Sequence, residues 1–440
     1  MFAYYLRLAW LSIRQSYGLS LLMILAIGLG IGAAMTTMTV NYLMSANPIP
    51  GKSSQLYYVQ LDSWDPHEAA NDDGSPPDQL TYRDATALWA AQKAHRQVVQ
   101  AQMSAVVEPQ ATGQNKDSLP FIVSGRANSA DFFPMFEVPF LFGGGWDRTA
   151  DEQMQQVVVL SQSLNERLFG GRNSVGEKIK LAGDYYQVVG VMANWQPKPR
   201  FYDVTTGAFN EVEELFVPFS LLTQQKINRN GNTNCWKPSG EGFAAFLNSE
   251  CVWTQFWVEL RNEQEKQHYL AFLSAYVDEQ KKLGRFGRPT NNQLHDVMQW
   301  LENQQVVAED ASMMLVMSLL FLAVCLLNTI GLLLAKFLSK APQIGLRQAL
   351  GASRRDLFAQ YLTEAGCIGI AGGLLGLALA FFGLQGISLL YGDEMKGLAE
   401  LDLPMVLVAM GLALLSSLLA GLYPTWRACS VQPSQQLKSQ

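Results

Sequence analysis

The chain has 440 residues, of which 49% are hydrophobic and 16% charged, with a formal net charge of −6 at pH 7. An acidic balance of that kind carries no electrostatic footprint for nucleic acid, so no nucleic-acid partner is expected. Four charge-free gaps, Arg14 to Lys52, Asp310 to Lys336, Glu364 to Asp393 and Asp402 to Arg427, hold 37, 25, 28 and 24 residues. Each exceeds the roughly 20 residues that cross a hydrocarbon core, which excludes a soluble protein built on one buried core. The mean hydropathy is only +0.05 because a large polar insert separates the first gap from the second.

In chain order, residues 1–17 contain "YYLRLAWLSIR", whose apolar and basic faces predict a cytoplasmic interfacial helix. A first transmembrane helix is predicted over 18–44, with Gly28, Gly30 and Gly32 followed by Ala33-Ala34. Its apolar run is longer than that of a cleaved signal peptide, and no clean small-x-small site closes it, so an uncleaved signal anchor is expected. Residues 45–308 form the insert. Within it, 62–79 is rich in Asp, Pro and Gly and reads as loop. "QVVVLSQSLNERLFGG" (156–171) predicts a short strand, then a helix capped by Ser161 or Ser163 and stopped at Gly170-Gly171. "IKLAGDYYQVVGVMAN" (179–194) predicts a hairpin about an Ala-Gly-Asp turn. "EELFVPFSLL" reads as an edge-like strand because Pro218 cannot donate to a ladder. From about 205 to 300 the pattern turns helical and polar, which predicts two subdomains, one interrupting the other.

Further transmembrane helices are predicted at 309–338, 361–390 and 403–425, joined by loops 339–360 and 391–402 and followed by a tail, 426–440. In the third, Gly369/Gly373 and Gly372/Gly376 stand at small-x-x-x-small spacing, which favours close helix packing within the chain or between chains. The fold class is a polytopic α-helical membrane protein with four transmembrane helices and a large mixed α/β extracytoplasmic domain inserted between helices 1 and 2. Segments 1–17, 336–360 and 425–440 carry Arg7, Arg14, Lys336, Lys340, Arg347, Arg354, Arg355, Arg427 and Lys438 against Asp356 alone. The positive-inside rule places these segments in the cytoplasm and the insert outside. Cys235 and Cys251 are the insert's two cysteines, 16 positions apart. An oxidising exterior permits a disulfide between them, worth about 3 kcal/mol for a loop of this size.

Catalytic chemistry is hard to find. His67, His95, His268 and His295 show no paired metal spacing. "GGRNSVGEK" has Glu177 after Gly176 where a phosphate loop needs lysine, and no G-x-S-x-G occurs. Eight tryptophans lie in the insert and are expected in packing. No metal, cofactor or catalytic site is assigned to this chain, so any energy it uses comes from a partner.

The stretch "QIGLRQALGASRRDLFAQYLTEA" (343–365) stands apart. It predicts a short helix over Gln343–Leu350 capped at Gly351, then a second helix with Ser353 and Asp356 as its capping box, running into the third span. Arg347, Arg354 and Arg355 would face the cytosol or lipid head groups. The pattern resembles the loop signature of the MacB/FtsX-type permeases of ABC transporters, E-I-G-[LIV]-R-[KR]-A-[LI]-G-A-[ST], with Gln343 and Gln348 as departures. "SADFFPMF" (129–136), the run 157–194 and "FVPFS" (216–220) resemble the family's periplasmic core domain in order and spacing, whereas "FGGGWD" (142–147) is a partial match.

The resemblance implies a non-catalytic permease subunit in a bacterial inner membrane, paired with a second copy or a paralogue. It implies docking of a cytosolic ABC ATPase on a separate chain, which would hold ATP and Mg. The coupling contacts would be Gly345, Leu346, Arg347, Ala349, Leu350, Gly351, Ala352, Arg354 and Arg355, and Glu364 matches a family acid. ATP-driven motion would pass to the external domain by mechanotransmission, for export or efflux of a drug, peptide or other periplasmic substrate. Two other family functions are a lipoprotein-releasing permease and a cell-division-type regulator of a periplasmic hydrolase. The sequence neither requires nor excludes a periplasmic adaptor and an outer-membrane channel.

Overall fold

The computed structural model describes residues 2–109, 119–227, 229–306, 309–391 and 403–429. It divides into a membrane unit, Met1–Ser45 with Val307–Gln440, and an inserted unit, Ala46–Val306.

In the membrane unit an amphipathic helix, Phe2–Gln15, precedes four helices long and apolar enough to cross a bilayer. These are the first to fourth spans: Tyr17–Ser45, Glu309–Ser339, Arg354–Tyr391 and Leu403–Cys429. The connection 392–402 and the tail beyond Cys429 lie outside the described residues. The third span packs on two neighbours through its glycines. A Cβ added at Gly372 or Gly376 would lie 2.7 or 2.8 Å from the Cγ2 of Ile27 or Ile31 in the first span. One added at Gly369 would meet Ser417 Oγ at 1.9 Å, and one at Gly373 would meet Ala413 Cβ at 2.6 Å, both in the fourth span. All four glycines therefore serve contacts within the chain, where bare backbone lets helices approach closely.

Among the described residues, the inserted unit is built on one sheet of eleven strands. They are β1 (Leu56–Gln60), β2 (Leu80–Thr81), β3 (Arg96–Glu108), β4 (Phe121–Asn128), β5 (Phe140–Gly143), β6 (Val157–Leu160), β7 (Lys178–Leu181), β8 (Asp184–Met192), β9 (Leu215–Pro218), β10 (Val252–Glu259) and β11 (Gln293–Asp296). The main path runs β11-β1-β10-β3-β4-β9-β6-β8-β5. Pairs within the first five strands are antiparallel, while β4 pairs with β9 and β6 with β8 in parallel. Both faces of the sheet are covered, so the alternation of side chains feeds two cores. Tyr57 and Val59 of β1 and Phe256 and Val258 of β10 point into one. Leu56, Tyr58 and Trp257 point into the other, where Trp300 stacks on Tyr58 with ring centroids 3.8 Å apart. Trp146, Trp253, Trp257 and Trp300 are buried in these cores, a packing role.

Local signals read as expected. Ser161 Oγ accepts from Leu164 N, and Gly170 ends the helix Gln162–Phe169 in the left-handed region. Ala182 and Gly183, both at positive φ, turn β7 into β8. "GGRNSVGEK" leads into β7, a strand, where a phosphate loop would open a helix. Cys235 and Cys251 are joined by a disulfide.

Two readings need correction. The second subdomain expected at about 205–300 is not a separate sheet, because β10 and β11 complete the half begun by β1, β3 and β4. The other half comes from β5 to β9, so the interruption lies earlier in the chain. The Pro218 strand is not an edge either. β9 lies between β4 and β6, and Pro218 is tolerated because it is the strand's last residue.

A buried ionic cluster fastens residues 200–214 to the sheet. Arg126 of β4 donates to Asp203 and, from Nε at 3.1 Å, to Glu213, and Arg200 reaches Glu213 at 3.0 Å. The Tyr202 hydroxyl donates to Glu213 at 2.9 Å, and Gln255 of β10 donates to Asp203 at 2.7 Å. Burial alone would raise both carboxylates, but the two arginines hold each below its usual range. Two cations against two anions leave no net buried charge, the condition under which such a cluster is tolerated.

The motif segments 129–136 and 142–147 meet at Asp151. Its carboxylate accepts from Ala130 N at 2.6 Å and Trp146 Nε1 at 3.0 Å, and Trp146 meets Phe133 edge-on at 4.8 Å. Gly145 is required there, since a Cβ would lie 2.3 Å from the Phe133 ring.

Two measurements test this packing. Burial pushes the Asp151 pKa up to about 7 despite its two N–H donors. An unfolded Asp titrates near 3.9, so the folded unit binds the extra proton between about pH 4 and 7, and stability falls as pH rises across that window. Asp151→Asn is expected to remove that part of the slope in denaturant unfolding followed by tryptophan fluorescence; identical slopes in the two proteins would contradict it. Separately, Gly372→Leu is expected to lower the thermal midpoint of the detergent-solubilised chain through overpacking of about 1–3 kcal/mol. An unchanged midpoint would show that the first and third spans are not in this contact.

Candidate functional site: the loop between the second and third spans

The loop is a rigid helix–turn–helix. Its helix, Ala341–Ala349, opens with Pro342 in the first turn, where a missing N–H costs nothing. It closes at Leu350, with Gly351 at φ +97°, a conformation side chains other than glycine's rarely adopt. Ala352 N returns to Arg347 O at 3.0 Å and Gly351 N to Gln348 O at 3.1 Å. Asp356 N then donates to Ser353 Oγ at 3.1 Å, and the Ser353 hydroxyl donates back to the Asp356 carboxylate at 2.6 Å. From Arg354 the helix continues unbroken to Tyr391. The turn and the third span are thus one rod.

Ile344 anchors the short helix, buried at 2% beside Phe337, Leu357 and Tyr361. The opposite face is bare: Leu346 is 64% and Leu350 80% exposed, one turn apart. Arg347, Gly351, Arg354 and Arg355 are exposed around them, with Gly345 and Ala352 half-buried. The side chain of Ala349 lies outside the described residues. Arg347 also donates to Gln360 Oε1 at 3.1 Å, which braces the short helix against the third span. The N-terminal helix joins the assembly, since the Tyr5 hydroxyl donates to Asp356 at 3.1 Å. Tyr4, Tyr5, Leu8, Leu350 and Leu357 are among the residues lining a groove of about 400 Å³ here. Two apolar knobs ringed by arginines on a stiff support suit protein docking better than chemistry.

Beneath this surface lies a group that sequence patterning did not assemble. Lys336 and Glu364, 1% and 0% exposed, pair at 2.6 Å, and Ser12 and Lys340 join them. Lys336 and Lys340 count toward topology in the sequence, and Ser12 carries no pattern. The usable signal was that Lys336 ends one charge-free gap and Glu364 begins the next.

Four candidate spans, a mixed α/β unit inserted after the first, and an exposed helix–turn–helix between the second and third define a polytopic membrane protein of the permease class. Residues 20–267 match the family model for the MacB-like periplasmic core domain, and residues 315–433 match that for the FtsX-like permease C-terminal region. The chain belongs to the family of MacB/FtsX-type ABC permeases. It is 22% identical over 304 residues to the macrolide export ATP-binding/permease protein of Bdellovibrio bacteriovorus, covering 68% of this chain and 41% of that one. It is 24% identical over 329 residues to the pyoverdine export ATP-binding/permease protein of Pseudomonas entomophila, covering 74% and 44%. The chain thus spans less than half the length of these relatives. The periplasmic region of MacB from Actinobacillus actinomycetemcomitans aligns with a TM-score of 0.36 at 13% identity, covering 59% of this chain and 96% of that region.

Proposed function

We propose that this chain is the permease subunit of an export-type ABC transporter in a bacterial inner membrane, working as a dimer with a second copy or a paralogue. Its loop docks a cytosolic ATPase carried on a separate chain, which holds ATP and Mg. The observation that carries this reading is the exposed pair Leu346 and Leu350 on a helix braced by Ile344, Arg347 and Gly351. Leu346, Leu350 and Ala352 are the apolar contacts, Arg347, Arg354 and Arg355 the charged ones, and Gly345, Ala349 and Gly351 keep the backbone close to the partner. Because the docking helix and the third span share one rigid turn, displacement at the loop moves the span as a lever. Mechanotransmission to the inserted unit follows, with no chemistry on this chain.

Export is supported by the relatives, which are a macrolide export and a pyoverdine export ATP-binding/permease protein. A lipoprotein-releasing function would call for an apolar cavity to hold acyl chains. A cleft of about 520 Å³ in the inserted unit is lined instead by Glu166, Glu211, Glu214, Ser161 and Ser163, with Trp195. That lining favours a polar or cationic substrate over an acyl chain.

Affinity capture of the tagged chain from mild detergent, followed by an ATPase assay, tests the reading. An ATP-binding subunit is expected to copurify, and Arg347→Glu is expected to reduce its stimulation by the permease about tenfold, the loss of one charge-assisted contact of about 1.4 kcal/mol. Full stimulation by the variant would remove the loop from the mechanism.

A further inference from the structure

One carboxylate oxygen links the second span, the third span and the N-terminal helix beside the loop. Glu364 Oε1 lies 2.6 Å from Lys336 Nζ, at the end of the second span. The same oxygen accepts from the Ser12 hydroxyl of the N-terminal helix at 2.6 Å. Lys336 Nζ also donates to Ser20 Oγ of the first span at 2.9 Å. Lys340 Nζ, one residue before the loop helix begins, donates to Ser12 Oγ. The N-terminal helix, the first span and both helices flanking the loop therefore converge on Glu364.

Two features make this more than a static clamp. The second oxygen, Glu364 Oε2, is buried and has no hydrogen-bond partner among the described residues. A buried acceptor left empty is uncommon and calls for an explanation. Lys340 follows Lys336 by four positions, one helical turn, and is separated from the same carboxylate by a single hydroxyl. Two lysines thus lie close to one carboxylate, and one of its oxygens has no protein partner among the described residues. A buried carboxylate must keep a cation, which Lys336 supplies, and Lys340, standing between the second span and the loop helix, is placed to approach the same group when the loop moves. Interfaces of this kind hold discrete arrangements rather than deforming smoothly.

We propose that Glu364 is the positioning residue of the coupling loop and acts as a two-partner ion-pair acceptor. It holds Lys336 in the arrangement seen here and takes Lys340 onto its free oxygen when the docked ATPase loads the loop. The Ser12 hydroxyl keeps Lys340 away until then. No proton or electron changes hands; one cation is added to an existing pair. This rests on the coupling reading above and assigns that site its internal switch.

The test uses the full chain in lipid nanodiscs with its copurifying ATP-binding subunit, measuring docking affinity and permease-dependent stimulation of ATP hydrolysis separately. Lys340→Gln is expected to dock within twofold of the unmodified chain but to lose stimulation about tenfold, and Lys340→Arg to recover most of it. Ser12→Ala, which removes the spacer without removing a charge, is expected to raise the stimulated rate at sub-saturating ATP severalfold. A merely structural role would not separate docking from stimulation or give these two variants opposite signs. Normal stimulation with Lys340→Gln, or loss with Ser12→Ala, overturns the proposal. If the unmodified chain docks no ATP-binding subunit, the coupling reading fails first, and that failure is distinguishable because it does not depend on Lys340.

Discussion

A carboxylate and an ammonium group with almost no exposed surface, set among apolar helices, constrain the whole membrane unit. Separating Lys336 from Glu364 would leave a charge in a low-dielectric bundle, at a cost of several kcal/mol, so the second and third spans are held together at this level. The third span then fixes its neighbours through glycines. Gly372 and Gly376 admit the first span, and Gly369 and Gly373 admit the fourth. Because the third span begins at Arg354, its placement also fixes the turn at Gly351 and the bare face of Leu346 and Leu350. The loop's placement is thus inherited from a buried pair at the end of the second span rather than built into the loop alone.

The inserted unit solves a different problem with the same logic. Its sheet is covered on both faces, which lets short strands such as β6 and β9 be apolar throughout. The long 200–214 segment is pinned by Arg126, Arg200, Asp203 and Glu213, a cluster that is neutral as a whole though every member is buried. Each unit is thus held together by its own buried charges and packing.

The features legible in the sequence were those set by near neighbours. Charge-free gaps depend only on the bilayer, and the spans fall where the gaps do. The cap at Ser161, the turn at Ala182-Gly183 and the stop at Gly351 each need a few adjacent residues, and each reads correctly. What local patterning could not reach were partners distant in the chain. Val252–Glu259 carries no sign that it pairs with strands beginning at Leu56 and Arg96, so the subdomain boundary was misplaced. Pro218 looks like an edge signal until the register shows that it ends a central strand. The convergence of Ser12, Lys336, Lys340 and Glu364 brings together positions up to 352 residues apart, beyond any spacing rule.

If the loop is the coupling site, the nucleotide state of the docked subunit changes the inserted unit at a distance. Hydrogen–deuterium exchange of residues 46–306 tests it directly, in nanodisc complexes with the ATP-binding subunit bound, with and without ATP and Mg. Nucleotide-dependent exchange is expected in the inserted unit of the unmodified chain and none in Arg347→Glu. Identical exchange in both nucleotide states while ATP is being hydrolysed would contradict it.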